Sequence, residues 1–349
     1  MGKKTIVSKP ANMSFSDAEL FNPFSSYEEP TLKARYVNSA FVCYNGLVAG
    51  RKGIVKECYH QNKGQHDECL NQISYYYHEA KENPDNLIIL DNEETYLLIH
   101  HPWYGNYYHW MSETILRLWS VKDQTSAMIL LLPDTHLLSK YMLPSLAPFN
   151  FKDIYYIPVR KSLLIRRLYV TQLKPKVPAY IPRALRDLNK IYLDYIISSK
   201  VKVDDIGGRV YLSRKKANKR NVVNEDEVIS ILQQNDFIIL ENENYSFFEQ
   251  IAIYSKVKYL ISSHGAGLTN MLFMPANSVI LEFHKRITNA DDQHSLVFWY
   301  MADALKHKYY HQLCEPVDNE ANYFKADITV DIPLLKRNLE AIFNSDNKS

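Results

Sequence analysis

The chain has 349 residues, more than a single hydrophobic core comfortably serves and about right for two domains. Its apolar and charged fractions, 46% and 23%, are those of a globular enzyme and exclude a disordered or fibrous chain. A formal net charge of +2 lacks the concentrated basic excess of a nucleic-acid binder, so no nucleic-acid partner is expected.

In chain order, residues 1–30 are rich in Ser, Pro, Asn and Glu without a period and read as an extended arm. The basic start Met1-Gly2-Lys3-Lys4 is not followed by the apolar core of a signal peptide. Residues 31–175 read as an α/β domain. Ala40 to Gly53 suggests strands around a Tyr44-Asn45-Gly46 turn, because Asn-Gly supplies positive φ at little cost. Further strands are predicted at Leu87–Leu90, Thr95–Ile99, Ala127–Leu132 and Ile154–Ile157. The run Ala127–Leu132 ends at Pro133, far too short to cross a bilayer, so a cytoplasmic protein with at most peripheral contact at the inner membrane face is expected.

The proline-rich segment Lys174–Pro182 predicts a linker. Residues 183–325 then show a β-α-β rhythm: helices at Arg183–Ser199, Glu225–Asn235, Phe247–Ser255 and Thr269–Phe273, strands at Arg209–Ser213, Phe237–Leu240, Val257–Ser262 and Ser278–Phe283. Residues 326–349 are expected to form a terminal helix and a frayed tail. The four cysteines show neither a CxxC pair nor zinc-ligand spacing, so no metal site or disulfide framework is expected.

Three segments carry chemistry. In His100-His101-Pro102-Trp103-Tyr104-Gly105-Asn106-Tyr107-Tyr108-His109-Trp110-Met111-Ser112-Glu113, Asn106 caps a helix. On it Tyr108, Met111, Ile115 and Leu118 form an apolar stripe, and His109, Glu113 and Arg117 repeat every four residues on another face. Either His109 or Glu113 suits a general base, and a surface ion pair is the plain alternative. Next, the strand Tyr211-Leu212-Ser213 runs into a basic turn whose Arg214, and secondarily Arg220, offer rigid forks to phosphate oxygens; a solvated basic face is the alternative. Asn224-Glu225-Asp226-Glu227 reads as a structural helix start. Last, Ser263-His264-Gly265-Ala266-Gly267-Leu268-Thr269-Asn270 follows a buried strand. Its glycines admit a ligand close to the backbone and the helix beyond offers N–H groups to an anion, unless they only permit close packing. Thr269 and Asn270 add donors, and Glu282 at the next strand end is placed to accept from ribose hydroxyls or to satisfy loop amides.

With these segments in order, the chain resembles the family 61 glycosyltransferases, which include bacterial capsular polysaccharide enzymes and eukaryotic O-linked N-acetylglucosaminyl and plant xylosyl transferases. Asn106-Tyr107-Tyr108-His109-Trp110 with Glu113 is similar to the family's first signature, and Tyr211-Leu212-Ser213-Arg214, Arg220 and Asn224-Glu225 to its second. Ser246–Gln250 with His264–Asn270 and Val279-Ile280-Leu281-Glu282 is similar to its third. The resemblance implies a GT-B fold, two Rossmann-like domains facing across a cleft, with an acceptor-side domain over 31–175 and a nucleotide-sugar domain over 183–325. It implies an inverting transferase with a nucleotide-diphosphate sugar, UDP-linked, as donor and a glycan or lipid-linked glycan as acceptor, in capsular or other surface polysaccharide synthesis. His109 and Glu113 would be catalytic; Ser213, Arg214, Arg220, His264, Gly265, Ala266, Gly267, Leu268, Thr269, Asn270 and Glu282 would hold the donor. No Asp-x-Asp triplet occurs, so the reading is metal-independent and without a cofactor besides the donor. A sugar-nucleotide epimerase and a noncatalytic scaffold of a polysaccharide assembly complex are the rival readings.

Overall fold

The computed structural model describes residues 3–62, 64–135, 139–173, 177–289, 292–322 and 324–346. The chain divides into two compact units: Pro30–Ala179, and Lys3–Glu29 together with the chain from Tyr180 onward. Lys174, Pro175 and Lys176 of the expected linker lie outside the described residues, and Pro182 begins a helix.

The N-terminal segment is not an extended arm. β1 (Lys4–Ile6) pairs antiparallel with β2 (Ser26–Glu28), and the residues between are tied down by buried rings and backbone bonds. Phe21 is fully buried, edge-on to Trp299 at 5.0 Å. The Trp299 indole donates to the Ser8 carbonyl at 2.7 Å, and the Tyr300 hydroxyl to that of Phe24 at 2.6 Å. Loss of water from one large ring is worth roughly 2 kcal/mol, enough to hold a segment that has no period of its own.

In the Pro30–Ala179 unit, β3 (Ala34–Val42), β4 (Val48–Gly50) and β5 (Gly53–Ile54) form an antiparallel meander. The expected Asn-Gly turn is there, with Gly46 at φ 88°. β6 (Leu87–Leu90), β7 (Tyr96–Leu98), β8 (Ile129–Pro133) and β9 (Asp153–Ile157) are joined by β10 (Ser162–Thr171). β10 pairs antiparallel with β3 on one side. On its other side it takes β6 and then β7 in parallel, so those two behave as one interrupted strand. β8 and β9 extend the parallel half, and the apolar run of β8 is buried as parallel strands are.

In the unit from Tyr180 onward, β11 (Arg209–Leu212), β12 (Ile238–Leu240), β13 (Tyr259–Ser263), β14 (Val279–Lys285) and β15 (Lys308–Pro316) form a parallel sheet, and β16 (Ile328–Thr329) adds an antiparallel edge. The order β12-β11-β13-β14-β15 is the 2-1-3-4-5 order of a doubly wound sheet, whose switch point falls between β11 and β13. Helix Glu225–Gln233 packs with the terminal helix Ile332–Asp346 over one face. Helices Pro182–Ser198, Phe247–Tyr254 and Val297–Ala304 cover the other, where Tyr192, Phe247 and Phe273 meet edge to face. The expected terminal helix is present as Ile332–Asp346 and is integral to this core, because Leu335, Leu339 and Ile342 are buried against Leu281 and Phe283, while residues 347–349 of the expected frayed tail lie outside the described residues. Among the described residues no helix is long and apolar enough to cross a membrane.

Candidate functional site

Two clusters stand at carboxyl ends of parallel strands. In the first unit, β7 leads into the loop His100–Asn106. The Asn106 side chain accepts the Tyr108 N–H at 2.9 Å, capping a helix that runs Tyr107–His109, widens to a π-turn over Trp110–Thr114 and continues as Ile115–Trp119. Single π-turns in α-helices recur at functional sites, since the extra residue rotates the next turn of helix relative to the one before. Here Arg117 lies within electrostatic reach of Glu113 but makes no hydrogen bond to it. The Arg117 guanidinium, fully buried, instead donates to the His100 carbonyl at 2.9 Å and to the carbonyls of Leu98 and Thr171. The face of three charged groups expected from the spacing is therefore divided, and the surface ion pair is ruled out by burial.

Glu113 has a side-chain exposure of 0%, and its Oε2 is the meeting point of three imidazoles: His109 Nδ1 at 2.8 Å, His60 Nε2 at 3.2 Å and His101 Nε2 at 3.5 Å. His109 is 26% exposed, His60 2% and His101 0%. Trp103 lies parallel to the His60 ring at 5.1 Å and tilted over His109 at 5.9 Å. Burial pushes the His101 imidazole well below its ordinary value. Trp110 plays no part, since it is buried with its indole on Ser145 Oγ. His60, His109 and Glu113 bring one potential ligand atom each within 4.8 Å of one another, so a divalent cation has the donor set it would need. Sequence reasoning missed His60 and His101 as members. His101 stood beside the pattern, but His60 arrives from the loop after β5, where no local spacing marks it.

In the second unit the ends of β11, β13 and β14 converge at the switch point. Ser213 Oγ donates to the buried Glu225 carboxylate at 2.9 Å, as does Tyr211 OH, and accepts from Lys215 N–H at 3.2 Å. Ser213 thus fixes the basic turn. Arg214 is half-buried, with Nη2 donating to the Lys219 carbonyl at 3.2 Å and no partner on Nε. Burial lowers its pKa, against the pull of Glu243 and Tyr211. Gly265 has an extended backbone, so its requirement is spatial: a Cβ would land on Arg214 Nη1 and lie 2.8 Å from Cζ. A Cβ on Gly267 would lie 2.6 Å from Leu212 Cδ2. The glycines therefore admit the guanidinium and let the loop settle on β11. Arg220 takes a left-handed φ of 61°, and its charge disfavours protonation of His264.

The loop continues as a 3-10 helix, Ala266–Phe273, rather than an α-helix. Leu268, Thr269 and Asn270 are fully buried, and Asn270 donates to Gln250 at 3.2 Å. These side chains shape the loop from below; the donors expected from Thr269 and Asn270 do not face outward, because the tight 3-10 turn packs them inward. Glu282 is likewise 0% exposed, with Oε1 on His264 Nδ1 and Oε2 accepting from Tyr309 OH at 2.7 Å. Both oxygens are thereby engaged inside the protein, away from the surface on which a ribose would be met. Burial raises its pKa and pushes His264 well down. His264, Glu282 and His284 also bring ligand atoms within 4.8 Å. However, His284 Nδ1 donates to the Lys285 carbonyl at 3.0 Å and Nε2 accepts from Ser295 N–H at 3.2 Å, which leaves that ring no lone pair for a cation.

A sheet with an arginine at its switch point and, in the other unit, a partly exposed histidine on a buried carboxylate define an α/β enzyme architecture with two sites for polar chemistry. The chain belongs to the glycosyltransferase 61 family, whose model matches residues 107–281, from the first residue of the His109 helix to the neighbour of Glu282. Over 77 residues it is 40% identical to the EGF domain-specific O-linked N-acetylglucosamine transferase of Drosophila melanogaster, a stretch covering 21% of this chain and 15% of that protein.

Proposed function

We propose that the chain is an inverting glycosyltransferase of the GT-B kind, moving a sugar from a nucleotide diphosphate, UDP in the first instance, to a hydroxyl of a glycan acceptor. The observation that carries the donor half is the space that Gly265 leaves for the Arg214 guanidinium at the switch point, where doubly wound sheets bind their ligands. Arg214, Arg220 and the N–H groups at the start of Ala266–Phe273 meet the diphosphate.

The base is His109, and Glu113 orients it. Glu113 is sealed off, whereas His109 keeps an exposed edge. An ionised carboxylate only accepts, so His109 presents Nδ1–H to Glu113 and carries its lone pair on Nε2. The acceptor hydroxyl gives its proton to Nε2 as its oxygen bonds to the anomeric carbon. The bond from that carbon to the diphosphate oxygen breaks, and its electron pair leaves with the diphosphate, whose charge Arg214 stabilises. Such in-line displacement inverts the anomeric centre. A role at the inner membrane face, in surface polysaccharide synthesis, belongs to the same proposal.

The test is thermal unfolding with UDP and UDP-sugars, UDP-N-acetylglucosamine first because of the Drosophila relative, followed by product analysis with and without glycan acceptors. A rise in melting temperature with acceptor-dependent release of UDP is expected. Epimerisation of the sugar nucleotide without acceptor, or no binding of any nucleotide sugar, overturns the reading.

A further inference from the structure

Glu113 Oε2 is shared, and the sharing constrains where protons sit. His109 arrives from the helix and His60 from the loop after β5, so two separate segments hydrogen-bond one carboxylate oxygen, while His101, from the loop after β7, approaches it to 3.5 Å. The oxygen accepts, hence His60 presents Nε2–H to it at 3.2 Å while His109 presents Nδ1–H at 2.8 Å. His60 is itself held: its ring is 2% exposed and lies flat on Trp103, 20° from parallel. A ring so covered does not touch a substrate, and it lies outside residues 107–281 that match the family. Its contact with the His109 pair runs through Glu113. A carboxylate held by one N–H can rotate about its terminal torsion, which is soft; two N–H donors arriving from different segments fix that angle, and with it the ring orientation and tautomer of His109.

We propose that His60 is a positioning residue for transfer, whose Nε2–H locks Glu113 in the orientation that keeps the His109 lone pair on Nε2. This rests on the reading of His109 as the base. The competing occupant of the same atoms is a divalent cation, for which His60, His109 and Glu113 would be the ligands.

The experiment compares the full chain with His60→Gln, which keeps a side-chain N–H donor, and His60→Leu, which fills the volume without one. Steady-state kinetics with the UDP-sugar, melting temperature, metal content of the purified protein and 15N shifts of the His109 ring are read on all three. His60→Leu is expected to lower kcat about 10- to 100-fold, the range for removing a group that orients a reacting residue, with donor KM unchanged. His60→Gln is expected to recover most of kcat. The ring shifts should report the Nδ1–H tautomer in wild type and His60→Gln and a mixture in His60→Leu. Wild-type kcat in a folded His60→Leu protein overturns the proposal, as does a His60→Gln variant no better than His60→Leu. Stoichiometric zinc or manganese that is lost on substitution also overturns it, since the cluster is then a metal centre. If wild type turns over no nucleotide sugar, the transferase reading fails instead, and the tautomer shifts alone decide the role of His60.

Discussion

His109–Glu113 and His264–Glu282 are the same pair of side chains, joined in both cases through Nδ1 to a carboxylate that has no exposure of its own. Their surroundings separate them. Around Glu113 the further groups are imidazoles, and one ring keeps 26% of its side chain in contact with solvent. Around Glu282 the further group is the Tyr309 hydroxyl, while His284 at 4.9 Å and Phe298 at 5.2 Å close over His264, which retains 10%. Under the proposed function, the pair whose ring keeps an exposed edge is the one that handles the proton, and the enclosed pair is a strut. The difference lies in packing, not in residue type.

The comparison extends to acid, where the largest effect is expected. Burial drives His264 and His294 well below the ordinary imidazole value and brings His284, His307 and His311 down to about 4. All five belong to the unit from Tyr180 onward; in the other unit His101 moves the same way. Below about pH 6.5 the unfolded chain binds protons that these folded rings refuse, so stability falls as pH falls, by about 1.4 kcal/mol per pH unit for each ring. Glu282, raised by burial, binds its proton more readily when folded and offsets part of this. Calorimetry between pH 7.5 and 4.5 should show the transition of the five-histidine unit falling steeply, and His311→Gln should flatten that slope. A transition that does not move with pH would sink the account.

Next in size is His109→Ala. If the exposed pair is the proton-handling one, transfer falls about 10²- to 10⁴-fold while UDP affinity, measured by titration calorimetry, is unchanged. Loss of UDP binding instead would remove the distinction between the two clusters.

How far this division could be read from the chain alone depends on the range of the interactions. Four of the five parallel strands of the second unit were legible because each is a short apolar run bounded by turn residues, and Arg214 and Gly265 stand where those runs end; β15 (Lys308–Pro316), whose run mixes Lys308, His311, Gln312 and Glu315 among apolar residues, was not. The Asn106 cap and the i,i+4 spacing of His109 and Glu113 are local and came through intact. What failed is non-local. β10 mixes Arg166 and Arg167 into an apolar run and shows no clean alternation, so its central place in the sheet appears only through pairing with β3, β6 and β7. The π-turn over Trp110–Thr114 has no sequence signature, and neither do the backbone carbonyls that Arg117 meets. His60 joins Glu113 through tertiary packing. The outward roles given to Thr269, Asn270 and Glu282 assumed that residues beside a ligand loop face the ligand, whereas the 3-10 turn and the Tyr309 bond place them beneath it.

Gly265→Ala tests the donor half of the comparison. The added methyl displaces the far end of a flexible arginine rather than backbone, so the melting temperature should change little. If Arg214 is the diphosphate clamp, UDP affinity should nevertheless fall about 10- to 100-fold, the equivalent of roughly 1.5–3 kcal/mol for a charged hydrogen bond. Unchanged affinity would take Arg214 out of the site.

The smallest effect separates strut from catalyst directly. Tyr309→Phe deletes the hydroxyl that donates to Glu282 Oε2 at 2.7 Å and leaves a buried carboxylate oxygen with one donor fewer. That should cost about 1–3 kcal/mol of stability, measured by urea unfolding at pH 7. Because Glu282 binds its proton more readily in the folded state, the deficit should narrow as pH falls and the group becomes neutral. A neutral carboxyl loses less than a charged one when a donor is removed. The rate of transfer at saturating donor should stay near wild type if the enclosed pair is a strut, since Tyr309 and Glu282 are both buried. A variant as stable as wild type but slow in catalysis would reverse the assignment and make the sealed pair, not the exposed one, part of the proton path.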